Sequence, residues 1–155
     1  KPEQVARVAQ ERLTQTQQAS AAPVHLIGPG YSAMSLLSFE LYHRGMDVPI
    51  GIIGRGSVFG RQYDFLTPAA EWEGHSLLYF GQDRKTFEDY AHYFSSVDWQ
   101  PYTVNGVTLW SALGVGFKAA DYVREVVPGI ARDFYPLRAH SRSCKIYGVE
   151  TRDLE

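Results

Sequence analysis

Hydrophobic spacing in the first fifty residues predicts a helix followed by a strand–helix–strand unit. Apolar residues recur every three or four positions over Pro2–Gln18, which is typical of a helix with one buried face. The apolar run Val24–Ile27 predicts a buried strand, and Val48–Ile53 predicts a second one. Between them, Ala33–Tyr42 is apolar nearly all round, so we expect a deeply buried helix. Two strands joined by such a helix form a βαβ unit with a right-handed crossover.

The second half of the chain predicts a third strand, another helix and a hairpin. The apolar run His75–Phe80 predicts the strand. Thr86–Asp89 fits a capping box, and apolar residues continue at helical spacing to Phe94, so we expect one amphipathic helix there. Asn105–Gly106 predicts a tight type I′ hairpin, because both residues tolerate positive φ. The remaining predictions are a helix over Ala119–Val127, ended by Pro128–Gly129, and a strand over Ser143–Val149.

This pattern predicts an α/β fold. We expect a small, Rossmann-like three-layer sandwich, in which a short, mostly parallel sheet carries an antiparallel hairpin at one edge. A length of 155 residues suits one domain. Apolar residues make up 45% of the chain and charged residues 21%, which excludes disordered and collagen-like classes. The formal net charge of -2 argues against a nucleic-acid partner.

The two ends of the sequence suggest a piece of a longer protein. The chain starts at Lys1 rather than Met, and it ends on Leu154–Glu155, a pair that a cloning site often leaves before a tag. We therefore expect one soluble domain over residues 1–153, with a core at about 5–118 and a tail at 119–153. The single cysteine, Cys144, makes no intrachain disulfide, and the spacing of the five histidines predicts no metal site.

The turn after the first predicted strand is one candidate for ligand chemistry. Gly28, Gly30 and Ala33 match G-x-G-x-x-A between a strand and a helix, the arrangement that brings a pyrophosphate to free amides at a helix N-terminus. A dinucleotide site has an acid at the end of the second strand, whereas here Arg55 follows and would meet a ribose phosphate instead. The phosphate-binding residues would then be Gly28, Gly30, Ser32, Ala33 and Arg55. The alternative is a tight βα turn that needs small residues for its backbone, with Ser32 as the N-cap.

A second candidate lies in the glycine- and aromatic-rich connection before the third strand. Arg61, Gln62, Tyr63 and Asp64 place a cation, an amide, a phenol and a carboxylate beside aromatic residues. Loops at the carboxyl ends of parallel strands are where such sheets bind ligands. The mixture suits a sugar or another polyol, and it equally suits a structural loop in which Arg61 pairs with Asp64.

Several segments, taken in order, resemble the soluble C-terminal region of bacterial membrane glycosyltransferases. The family is the dolichyl-phosphate-mannose protein mannosyltransferase type, which includes the lipid A aminoarabinose transferases. The segments that carry the resemblance are Pro23–Gly28, Ser35–Tyr42, Gly60–Phe65, Glu73–Gly81, Tyr93–Val97 and the hairpin that continues to Phe117. The family normally has Trp at the position of Leu66, and the tail from Ala119 departs from the family pattern.

The resemblance implies a parent enzyme in the bacterial inner membrane that moves a sugar from a polyprenyl-phosphate donor to an acceptor. This piece would be its extracytoplasmic (periplasmic) accessory domain, with no cofactor and no catalytic residue of its own, because the family's catalytic carboxylate lies in the membrane half. Its partners would be the transmembrane half of its own chain and a glycan, lipid or protein acceptor. Arg61, Gln62, Tyr63 and Asp64 would face one of these partners. Two other interpretations stay open: a nucleotide- or phosphate-binding domain that uses the Gly28–Ala33 turn, and a protein-interaction module.

Overall fold

One mixed sheet organises the part of the chain that the computed structural model describes, residues 2–54 and 69–134. The strands are β1 (Val24–Gly28), β2 (Ile50–Ile52), β3 (Ser76–Gly81), β4 (Ser96–Val104) and β5 (Val107–Val115). The helices are α1 (Pro2–Ala19), α2 (Tyr31–His43), α3 (Lys85–Glu88), α4 (Ala119–Glu125) and α5 (Val127–Phe134), with 3-10 turns at Ala69–Trp72 and Ala91–Tyr93. None of the helices in these two ranges is long and apolar enough to cross a membrane.

The strand order is β2-β1-β3-β5-β4. β1 pairs in parallel with both β2 and β3, whereas β5 pairs antiparallel with β3 and β4. The hairpin between β4 and β5 turns at Asn105 and Gly106, whose φ angles are 52° and 77°, as a type I′ turn requires. The predicted α/β class and the antiparallel hairpin at one edge of a parallel sheet are therefore confirmed.

Successive residues of the inner strands supply two separate apolar cores. Leu26 and Leu78 pack with residues of α1 and α2, whereas their neighbours Ile27 and Tyr79 pack with aromatic residues that follow β3 and with α4. This division follows from the strand repeat, because successive side chains point to opposite faces of a sheet. Each large apolar side chain that is fully buried contributes about 1.5–3 kcal/mol, so both faces of the sheet are stabilised by burial.

An ion pair ties α1 to the edge strand β4. The Nη2 atom of Arg12 lies 2.7 Å from Oδ2 of Asp98, and the two side chains are 10% and 65% exposed. Arg12 is therefore a nearly buried cation whose partner is largely in solvent. Removing the charge of a buried ion costs less than removing its partner, because the second change leaves a desolvated charge without compensation.

Helix α2 is not deeply buried, so that prediction was wrong. Met34, Leu37 and Leu41 are buried against α1 and the sheet. On the opposite side of the helix, Leu36, Phe39 and Tyr42 are 47%, 57% and 68% exposed. An apolar sequence all round a helix predicts burial only when other elements cover every side, and here the sheet and α1 cover one side.

The segment after β3 also differs from its prediction. It forms α3 and a 3-10 turn rather than one helix, and the N-cap of α3 is Arg84 rather than Thr86. The carboxylate of Asp83, just before the N-cap, accepts hydrogen bonds from the Lys85 N–H at 2.9 Å and from the Thr86 hydroxyl at 2.8 Å. Pro128 and Gly129 lie inside α5, where the first turn of a helix tolerates proline. The predicted strand Ser143–Val149 lies outside the described residues.

The Arg12–Asp98 pair gives an asymmetric prediction for stability. We expect Asp98→Ala to lower the free energy of unfolding by about 1–3 kcal/mol, because the buried guanidinium of Arg12 loses its carboxylate. Arg12→Met should cost less, since methionine keeps the apolar contacts and needs no partner. Chemical denaturation measures both changes. Glu11→Ala in the exposed Arg7–Glu11 pair is the control, expected below about 0.5 kcal/mol, and equal losses for it and Asp98→Ala would contradict the argument.

Candidate functional site

The candidate site lies where β1 and β3 end. From β1 the chain runs through α2 to β2 on one side, whereas β3 pairs with the other side of β1. Open α/β sheets bind ligands in the crevice outside the carboxyl ends of strands at such a switch point. Gly28 and Gly81, the last residues of the two strands, therefore mark the position at which sheet topology favours a site.

A crevice of about 440 Å³ occupies this position. Its walls come from the start of α1, the first half of α2, the end of β3 and Leu109 of β5. Most of the lining side chains are apolar, including those of Val5, Leu36 and Phe80. The volume falls within the range of about 300–1,000 Å³ that is usual for small-molecule sites. The crevice is thus large enough for a ligand, but its walls favour apolar groups.

The polar side chains of the crevice come from Gln82 and Asp83, directly after β3. The Asp83 carboxylate accepts the N–H of Lys85 at the start of α3, and the Asp83 backbone carbonyl accepts a hydrogen bond of 2.8 Å from the Tyr79 hydroxyl. Burial, reinforced by the Asp83 charge, raises the pKa of Tyr79 to about 12, so that this phenol stays a neutral donor. No Lys, Arg or His belongs to the described lining. The electrostatics therefore favour an uncharged occupant over an anion.

The structure gives Gly28 a packing role. A Cβ atom on Gly28 would lie 2.2 Å from Sδ of Met34, so the absence of a side chain lets α2 approach the end of β1. Gly30 is the N-cap of α2, and its φ of -173° and ψ of 165° are extended values that any residue adopts. No side chain caps the helix, so the prediction that Ser32 is the N-cap was wrong. Ser32 and Ala33 lie exposed in the first turn, and Ala33 lines the crevice.

The other predicted site residues lie outside the described residues. Arg55 and the segment Arg61–Asp64 fall in the range 55–68, and their prediction stays a prediction. The structure does place Gly54, directly before this range. Its N–H donates a hydrogen bond of 2.8 Å to the hydroxyl of Tyr122, and the Tyr90 ring fills the space beside it. Gly54 therefore lies against the core formed with α4, the core that does not contain the crevice.

An exposed apolar surface that sequence reasoning missed adjoins the crevice. Leu36, Phe39 and Tyr42 recur every three residues along α2, and we call them the α2 apolar stripe. Leu36 also lines the crevice, so the two features form one continuous surface. The signal was present in the sequence, because Ala33–Tyr42 has more apolar residues than one buried helix face needs. Contiguous exposed apolar patches mark interaction sites more often than isolated apolar residues do.

The described residues do not combine into a metal centre. No group of three or more His, Cys, Asp or Glu side chains in residues 2–54 and 69–134 is placed to hold a metal ion. The arrangement that the structure does bring together is apolar, with the Asp83 carboxylate and the neutral Tyr79 phenol beside it. Such a surface can hold or dock an apolar group.

The Gly28–Met34 contact gives a test of whether Gly28 serves packing. We expect Gly28→Ala to destabilise the chain by about 1–3 kcal/mol, because the new Cβ overlaps the Met34 side chain. The same change in a Met34→Ala background should cost at least 1 kcal/mol less, a coupling that a double-mutant cycle measures. Ser32→Ala, at an exposed position, is the matched control and should be neutral. An unchanged stability in Gly28→Ala would contradict the packing role.

Comparison with protein-family models, with curated proteins and with solved structures finds no match to this chain. The resemblance to membrane glycosyltransferases therefore stays a hypothesis that rests on the sequence segments named above. The geometry of the described residues is the independent ground on which a function is proposed.

Proposed function

We propose that this chain is the extracytoplasmic accessory domain of a bacterial membrane glycosyltransferase that uses a polyprenyl-phosphate sugar. Its face formed by the α2 apolar stripe and the crevice would pack against the transmembrane half of the same protein. The observation that supports this proposal is the exposure of Leu36, Phe39 and Tyr42, at 47%, 57% and 68%, on one side of one helix. Under this proposal the domain supplies no catalytic group and acts by positioning an acceptor.

Energetics favour a covered state for this face. Moving a large apolar side chain from water into an apolar contact is worth about 1.5–3 kcal/mol, so three such residues represent a substantial driving force for association. The stripe is continuous with the crevice through Leu36, which lets one partner bury both. The helix also keeps its own core contacts through Met34 and Leu37, so docking on the exposed side requires no rearrangement.

The position of α1 is compatible with a membrane half that precedes this domain. Pro2, at the start of α1, lines the same crevice that adjoins the α2 apolar stripe. A segment that arrives at Lys1 from the membrane half would therefore reach the domain beside the face that we assign to docking. A short connection would hold the two parts at high effective concentration, so even a modest apolar contact would be occupied.

The layer arrangement supports the finer fold proposal. α1 and α2 share one core with the sheet, and α4 shares the other, which is what a Rossmann-like three-layer sandwich requires. In this proposal Arg61, Gln62, Tyr63 and Asp64 face the acceptor or the membrane half, as the resemblance implies. They follow β2, the strand that ends at the same edge of the parallel sheet as β1.

Charged substitutions in the α2 apolar stripe test the docking face in the full-length membrane protein. We expect Leu36→Asp and Phe39→Asp each to lower sugar transfer by about tenfold or more, because a carboxylate would be desolvated at the interface. The fold should persist, since both side chains are exposed in the described structure. Transfer from a polyprenyl-phosphate sugar in membrane vesicles is the measurement. Gln17→Asp, at an exposed position of α1, is the control, and wild-type transfer in both stripe variants would overturn the assignment.

A nucleotide- or phosphate-binding domain is the second candidate function. Its support is the position of the Gly28–Ala33 turn, which begins α2 at the switch point of the sheet, beside a crevice of about 440 Å³. Two observations make this candidate function weaker than the docking domain. The Cβ space of Gly28 is filled by Met34 rather than open to a pyrophosphate, and the described lining carries a carboxylate and no cation.

Calorimetric titration with ATP and NAD separates the two functions. Under the second function we expect binding by the wild-type chain that is lost in Gly30→Val, because the new side chain blocks the approach to the α2 amides. The variant should fold normally, since Gly30 has extended φ and ψ values that valine adopts readily. Under the leading proposal neither protein binds either nucleotide. Equal binding by wild type and Gly30→Val would exclude the turn as the site.

A further inference from the structure

A buried histidine, His25, and a partly buried one, His75, form a pair at the amino ends of β1 and β3, at the opposite end of these strands from the crevice. Nε2 of His25 lies 2.7 Å from Nδ1 of His75. The two ring planes differ by 9° and the ring centroids are 4.9 Å apart, so the rings meet edge to edge in one plane through this hydrogen bond. Trp72 stacks on the face of His25, with a centroid distance of 4.7 Å and an interplanar angle of 22°.

The environment of His25 decides which ring carries the shared proton. Among the described atoms, Nδ1 of His25 is buried and has no hydrogen-bond partner. An orphaned buried N–H is rarer in proteins than an orphaned acceptor, so Nδ1 of His25 is best left unprotonated. The proton of His25 then lies on Nε2, which donates to Nδ1 of His75. The neutral pair is the state that this geometry accommodates.

We propose that His25 and His75 form an acid-released latch that holds Trp72, and with it the end of the connection between β2 and β3, on the sheet. A proton added to the pair binds either to Nδ1 of His25 or to Nδ1 of His75. In the first case a buried N–H has no acceptor, and in the second case two N–H groups face each other across 2.7 Å. Both protonated states are less stable than the neutral pair. His75 is only partly buried, so it can turn outward into water.

The latch acts on Trp72 because this side chain joins three elements. Trp72 is buried, and its ring occupies the place where a Cβ atom on Gly51 of β2 would lie. It ends the 3-10 turn Ala69–Trp72, and its carbonyl accepts the N–H of His75 at 3.0 Å. Loss of the stacking partner His25 would therefore loosen the contact between this turn and β2. The latch goes beyond the proposed function and does not depend on it.

The charged groups around the pair do not offset its protonation. Glu71 precedes Trp72 on the 3-10 turn, and Glu73 directly follows it. Both glutamates are exposed. The Glu73 carboxylate accepts the N–H of Ala120 at the start of α4 rather than a histidine N–H. Burial, together with the charge of His75, lowers the pKa of His25 to about 4. No carboxylate contributes to this shift, so the described surroundings favour the neutral ring.

The pH dependence follows from linkage. The pKa of His25 is about 4 in the folded chain, against the ordinary histidine value of 6.5, so between these pH values the unfolded state binds more protons. The stabilisation is complete above pH 6.5 and is lost as the pH falls towards 4. Each unit of pKa difference is a tenfold change in the equilibrium constant. We therefore expect opening of the latch to increase by about one to two orders of magnitude across this range.

Hydrogen exchange on the full chain tests the latch. After correction for intrinsic rates, we expect protection of the amides in residues 69–76 to fall by about tenfold or more between pH 7 and 4.5, and amides of β5 to change less. His25→Gln removes the buried ring that takes up the proton and keeps an amide donor and acceptor at this position, so its protection should be independent of pH in this range. His92→Gln removes an exposed histidine and should behave as the wild type.

Two outcomes would overturn the latch. The first is equal protection of residues 69–76 at pH 7 and 4.5 in the wild-type chain. The second is a pH dependence that persists unchanged in His25→Gln. If His25→Gln fails to fold, His25→Phe in the same experiment decides, because it keeps an aromatic ring against Trp72 and takes up no proton. A pH dependence that persists in His25→Phe would likewise exclude the pair as the sensor.

Discussion

Burial of β1 on both faces is the constraint on which the rest of the structure depends. All five residues of this strand are buried, and it pairs in parallel on both edges. A parallel strand in this position needs neighbours in the sheet and packed layers above and below it, because its backbone and side chains are removed from water together. Burial of β1 therefore determines where α2, β2, β3 and the two cores lie, because these elements cover its edges and faces.

The two ends of β1 consequently have different chemistry. At its carboxyl end, Gly28 admits the side chain of Met34, and the chain turns directly into α2. This close approach forms the wall of an apolar crevice where a nucleotide-binding domain would need open space and cations. At its amino end, the buried residue His25 is polar, and His75 provides its hydrogen-bond partner. One strand thus places an apolar surface at one end and a titratable pair at the other.

The exposed surface, more than the glycine motif, supports the proposed function. A G-x-G-x-x-A turn is compatible with phosphate binding and also with tight packing, and the contact of Gly28 with Met34 favours packing. The side chains of Phe39 and Tyr42 have no such structural explanation, because they are more than half exposed on a helix that is already anchored through its other side. A domain that docks on a larger partner would account for the exposed side chains, which a free-standing nucleotide-binding domain would leave in water.

The amino-acid sequence by itself determined the elements whose signals are local. The apolar run of β1 and the Asn105–Gly106 turn were predictable, because strand period and turn conformation depend on residues close together in the chain. The start of α3 and the exposed side of α2 depended on tertiary structure. The start of α3 depends on where β3 ends, and exposure depends on how many layers cover a helix. The pairing of His25 with His75 joins residues fifty positions apart, and only the parallel register of β1 and β3 brings them together.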